Sequence, residues 1–144
     1  MHKSSLVILF LICSSLFSTA QNIEVKVKKR KVSLNGEQIF KFERENNGND
    51  IIIYRISDDE IFLKNIDMDN GTSSISDDYK KFIFMGSGKT LETTKFNGFS
   101  VKYLFRKLIK RKVVNEKGEI NEEKLDQFIK EYDENITNRT MLVR

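Results

Sequence analysis

NGFSVKYLFRKLIKRK, residues 97–112, is the stretch at which the chain changes its period. Val101, Leu104, Phe105, Leu108 and Ile109 recur at helical spacing, while Lys102, Arg106, Lys107, Lys110, Arg111 and Lys112 fall on the other side. Apolar residues three and four apart share one helix face, so the segment predicts a basic amphipathic helix. Upstream of Asn97-Gly98 the dominant period is two. Strands followed by helices, rather than alternating with them, place the chain in the α+β class.

Working upstream, Ile23, Val25 and Val27 alternate with charged residues before the basic run to Lys31, and Val32-Ser33-Leu34 resumes the alternation. Asn35-Gly36 is a strong hairpin signal, because both residues tolerate the positive φ of a type I′ turn. Ile39–Glu45, Ile51–Ile56, Glu60–Asp67, Lys81–Met85 and Thr90–Phe96 read as further strands, separated by turn clusters such as 46–50 and Gly86-Ser87-Gly88. The expectation is an antiparallel meander of about six strands. Downstream, Asn121 is placed to cap a second helix with Glu122 and Glu123 in its first turn. Leu125, Phe128, Ile129 and Tyr132 form its apolar stripe, and its exposed side is acidic. Residues 136–144 show weak patterning and are expected to form a loose tail.

The other end of the chain bears on location. Met1–Ala20 has a basic start, an apolar run from Leu6 to Phe17 and a small-residue end at Ser18-Thr19-Ala20, the layout of a secretory signal peptide cleaved before Gln21. This predicts an exported protein, periplasmic or secreted, with a single α+β domain over 21–135. About a dozen apolar residues fall short of the ~20 that span a bilayer, and no later stretch comes closer. The only histidine and the only cysteine, His2 and Cys13, lie inside the expected signal. A mature chain would therefore lack imidazole and thiol. That excludes Ser-His-Asp and Cys-His catalysis, imidazole zinc sites and thiolate metal centres, and no cofactor is implied.

Three features invite chemistry. Gly86-Ser87-Gly88-Lys89-Thr90 looks like the end of a phosphate-binding P-loop, but Ile83 stands where the first glycine belongs and a strand rather than a helix follows. The expected reading is a hairpin turn. Asp67-Met68-Asp69-Asn70-Gly71, with Asp78 further on, has the oxygen-rich character of a calcium loop; its spacing departs from an EF-hand, and strands flank it. Asp67, Asp69 and Asp78 are its candidate ligands, set against a solvated acidic loop. The basic helix offers Lys102, Arg106, Lys107, Lys110 and Arg111 to an anionic partner, or else sets its charges beside the acidic helix in surface ion pairs.

A signal ending in Ala20-Gln21, the stretch Lys31-Val32-Ser33-Leu34-Asn35-Gly36-Glu37 and the close from Leu108 to Leu125 resemble the small exported proteins of unknown function common in Bacteroidetes-type bacteria. The resemblance implies an envelope or secreted location and transfers no site residue. The leading expectation is a non-catalytic binding protein whose partner is an anionic envelope component or an acidic protein rather than nucleic acid. The alternatives are a small carboxylate-dependent envelope hydrolase and a calcium-stabilised module.

Overall fold

Short turns between alternating segments fold the first two-thirds of the chain into one sheet. The computed structural model describes residues 22–69, 71 and 78–141; the expected signal at 1–20 lies outside them. Seven strands follow one another: β1 (Val25–Lys28), β2 (Lys31–Leu34), β3 (Glu37–Glu45), β4 (Asp50–Arg55), β5 (Ile61–Met68), β6 (Tyr79–Phe84) and β7 (Lys89–Thr93). Each is antiparallel to the next, in the order β1-β2-β3-β4-β5-β6-β7. Asn35 and Gly36 turn with φ of 51° and 87°, as their residue types allow.

The strand count exceeds the expected six because the basic run contains a turn. Lys29 and Arg30 adopt φ of 50° and 60° and divide β1 from β2. Neither residue favours the left-handed region, so nothing local announces the reversal. The Arg30 carbonyl accepts the Phe42 amide at 2.9 Å, which ties the turn to β3.

One face of the sheet carries the core. Register places Phe42, Ile53, Leu63 and Phe84 in one row across four strands, and Ile51, Asn65, Phe82 and Leu91 in the next. An irregularity between Ile53 and Tyr54 leaves Phe62 as an extra residue on β5, and both Phe62 and Leu63 are buried. Phe62 thereby reaches the Phe40 ring, 4.6 Å away between centroids.

Two helices cover this face, as the change of period requires. Helix α1 (Val101–Lys110) begins at Ser100, whose hydroxyl accepts the Tyr103 amide. Its Phe105 ring lies 4.8 Å from Phe40, and Val101, Leu104 and Leu108 are buried beside it. Helix α2 (Glu122–Tyr132) is capped by Asn121, which accepts the Lys124 amide, and it buries Leu125 and Phe128. Removing a ring as central as Phe105 would cost about 3–5 kcal/mol.

A third short helix, α3 (Ile136–Met141), occupies part of the weakly patterned tail. The segment leading to it closes the β7 edge. Glu134 donates its amide to the Glu92 carbonyl at 2.8 Å, and the Asp133 carboxylate accepts the Glu92 amide at 2.8 Å. The Glu92 carboxylate in turn accepts the Thr137 amide and hydroxyl, at 2.8 and 2.7 Å. At the bend before β7, the glycine-rich segment is a turn, and Lys89 pairs with Glu122 at 2.8 Å and Asp126 at 2.7 Å.

Candidate anionic-partner interface

Helix α1 divides its cations between two sides. Residues four apart form a row along a helix, so Lys102, Arg106 and Lys110 make one row and Tyr103, Lys107 and Arg111 another. The second row turns toward α2. Lys107 Nζ lies 5.4 Å from the Tyr103 ring centre and 5.9 Å from that of Tyr132, and Arg111 is paired with the Glu131 carboxylate. Tyr103 foremost, with Tyr132 also contributing, holds the Lys107 ammonium above the usual lysine pKa against the opposing effect of burial. Tyr132 first and Glu131 second raise that of Arg111. These two cations belong to the packing between helices.

The first row behaves differently. Among the described residues, Lys102, Arg106 and Lys110 have no ion-pair partner. Arg106 and Lys110 border a groove of about 910 Å³ between the C-terminal end of α1 and the start of β1. Its apolar lining comes from Ile23, Val25, Ile109, Val114 and Ile120, and Lys112 adds a third cation. Glu119 is the one acid in that lining, and Asn115 already donates to it at 2.7 Å.

Local structure explains how Lys112 reaches this place. Helix α1 ends with the Val113 amide donated to Leu108 and the Lys112 amide to Ile109, both at 2.8 Å, the bonding of a Schellman motif. The residue at the left-handed position is usually glycine, yet here it is Lys112, with φ of 57°. Val113 follows into the core. The loop then folds back: Val114 bridges to Ile120, and the Asn121 amide bonds to the Val113 carbonyl at 2.9 Å. This return sets Ile120 opposite β1.

Comparison with protein-family models, curated proteins and solved structures gives no match.

Of the sequence-predicted cations, Arg106 and Lys110 therefore meet in one groove, Lys107 and Arg111 face α2, and Lys102 continues the free row. The basic run before Lys31 forms the β1–β2 turn, and the groove receives Val25 from β1 and Ile23 from the segment before it rather than that turn. Sequence reasoning missed the groove-forming role of Lys112, Val114 and Ile120. The signal was present in Asn115-Glu116-Lys117-Gly118, which read as a turn without revealing what the returning chain would face.

The candidate calcium residues are placed otherwise. Asp67 is paired with Lys80 at 3.0 Å, and Asp69 accepts the Gly71 amide at 2.7 Å. Asp78 uses its carbonyl to accept the Asn97 side-chain amide at 2.8 Å. Among the described residues no group of three potential ligands converges, and positions 70 and 72–77 of that loop lie outside them. No described helix is long and apolar enough to cross a membrane.

Proposed function

We propose that the chain is a non-catalytic exported binding protein that recognises an anionic partner through the groove between α1 and β1. The observation that carries this reading is that Arg106, Lys110 and Lys112 line one groove without ion-pair partners among the described residues. Neighbouring like charges repel, so leaving three together next to apolar surface is a cost that a bound anion would relieve. Backbone conformation supports the same view. Eight described non-glycine residues have positive φ; five are Asn or Asp, and the other three are Lys29, Arg30 and Lys112. Of these three Lys112 alone lines the groove: there a cation occupies a position where glycine or asparagine would be cheaper, and strain of this kind concentrates at functional sites.

The test is binding of poly-L-glutamate and polyphosphate to the protein across a salt series. Replacing Arg106, Lys110 and Lys112 together by glutamine should weaken binding by roughly tenfold or more at low salt and flatten its salt dependence. Neutralising Lys64 and Lys130, which lie outside the groove, should change it far less. Equal binding by the triple variant and the wild type would remove the groove from the reading.

A further inference from the structure

The two edges of the sheet are finished differently. At β7 both the amide and the carbonyl of Glu92 are bonded by the segment at Asp133 and Glu134. At β1 the pairing leaves groups open. A two-residue turn makes Lys28 and Lys31 a hydrogen-bonded pair, and alternation makes Lys26 and Ser33 the next. The bonds that join Glu24 to Asn35 continue the same phase, at 3.0 and 2.9 Å. The amides and carbonyls of Val25 and Val27 therefore point away from β2, and among the described residues nothing bonds to them; Val25 is only 5% exposed and Val27 half-buried, so Val27 is the more accessible of the two.

Resting on the interface reading above, we infer that the partner is an extended acidic polypeptide segment that adds to β1 as an eighth strand. A strand laid along this edge would run about 4.8 Å from β1 and send alternate side chains to the two faces of the sheet. Cations wait on both. The helix-covered side offers Arg106, Lys110 and Lys112 across the groove. The other side offers Lys28, together with Lys26, which is paired with Glu24 at 3.0 Å, and these alternate with the core-facing Val25 and the half-buried Val27. Acidic side chains in either phase thus meet an opposite charge, while Ile23, Ile109 and Ile120 give the groove an apolar lining.

The same geometry argues against a second copy of this chain at the edge. Pairing β1 with β1 would set Lys26 and Lys28 against their equivalents, and like charges directly across a ladder are destabilising. A flat anionic surface would meet the charges but leave the open amides and carbonyls of Val25 and Val27 unanswered. The ladder groups are what select an extended chain.

The test measures fluorescence anisotropy of the protein with a labelled peptide of about six residues alternating glutamate and valine. Two further peptides carry N-methyl groups on alternate residues, one in each phase, so that charge is kept while every second backbone donor is removed. The expected result is binding of the parent peptide, loss of about tenfold or more for one methylated phase, and little change for the other. Amide hydrogen exchange at Val25 and Val27 should slow when the parent peptide is added. Val27→Pro provides a second check: its lost amide faces away from β2, so circular dichroism should stay native while peptide affinity falls and polyphosphate affinity persists.

Equal affinity for all three peptides would overturn the strand and leave the charge reading standing. Failure of poly-L-glutamate, polyphosphate and the peptide alike would overturn the interface itself. Binding to phosphatidylglycerol vesicles but not to the peptide would overturn the inference in favour of a membrane surface. A dimer that forms without peptide and that Val27→Pro abolishes would overturn it in favour of a second copy.

Discussion

At the scale of single residues, two glycines with similar backbone angles carry different burdens. Gly36 has φ of +87° and nothing near the position a Cβ would take, whereas at Gly118, with φ of +80°, that atom would lie 2.5 Å from Ile39 Cγ2 and 2.8 Å from Phe40 Cζ. Gly36→Ala should cost only the conformational penalty, about 1 kcal/mol. Gly118→Ala adds overpacking against Phe40 and should cost about 3 kcal/mol, read from the midpoint and slope of urea unfolding. Lys29 and Arg30 give the opposite sign. Replacing them by Asn and Gly should stabilise the hairpin by about 1 kcal/mol, because those residues accept the turn's positive φ. Heat denaturation of that double variant, compared with the wild type, checks the gain; an unchanged melting temperature would mean that the cations hold the turn by other contacts.

At the scale of elements, the C-terminal segment acts as a clasp on β7, and its acids tie it to pH. Burial alone would push the Glu92 carboxyl up, but the Thr137 amide and hydroxyl, with Lys81, outweigh it and leave its pKa below the ordinary 4.5. Glu134 follows the same balance, with burial opposed by the Thr94 amide and the hydroxyls of Thr93 and Thr94. Both are depressed on folding, so their stabilisation is complete above the ordinary carboxylate value and is lost as pH falls through the depressed folded values. The melting temperature should be nearly flat above about pH 5 and fall below about 4.5. Glu92→Gln with Glu134→Gln should lower it at neutral pH and make the acid decline shallower. An unaltered acid limb would locate that sensitivity in other carboxylates.

What the sequence disclosed follows the range of the interactions involved. The alternation in 23–27, the β-branched run at 51–56 and the helical spacing of 101–109 are local, and each predicts its element within a few residues. The Asn35-Gly36 turn was legible because its residue types state their conformation. The Lys29-Arg30 turn was not, since tertiary contact with β3 holds two residues that locally prefer another region. Glu92 read as an ordinary strand residue because its partners Asp133, Glu134 and Thr137 stand some forty positions away. The cations of α1 were legible as a group, but their division into a packed row and a free row depends on where α2 and β1 lie.

At the scale of the whole molecule, one sheet edge is bonded by the C-terminal segment, and along the other no described residue bonds to the backbone of Val25 or Val27. Opening the bonded edge should change how copies of the chain meet. Asp133→Ala with Glu134→Ala removes the carboxylates that hold the Glu92 amide and the hydroxyls of Thr93 and Thr94. An uncovered strand edge is a template for another strand. Analytical ultracentrifugation should show concentration-dependent self-association of this variant beyond that of the wild type. Sedimentation identical to the wild type would mean that the Glu134 backbone bond suffices to close the edge.

The unbroken order from β1 to β7 also bears on how the chain acquires its form. Every strand pairs with the strand made just before it, so each hairpin can zip as soon as its second arm is available. The apolar face gains no cover during this time. Phe40, Phe62 and Phe84 stay bare until residues past 100 deliver α1, and the α1–β1 contact then spans most of the domain in sequence. Sheet formation is thus a succession of short-range events, while the docking of a helix made late closes the longest loop. Any chaperone that guards this protein before completion has one surface to recognise: a naked, phenylalanine-rich sheet.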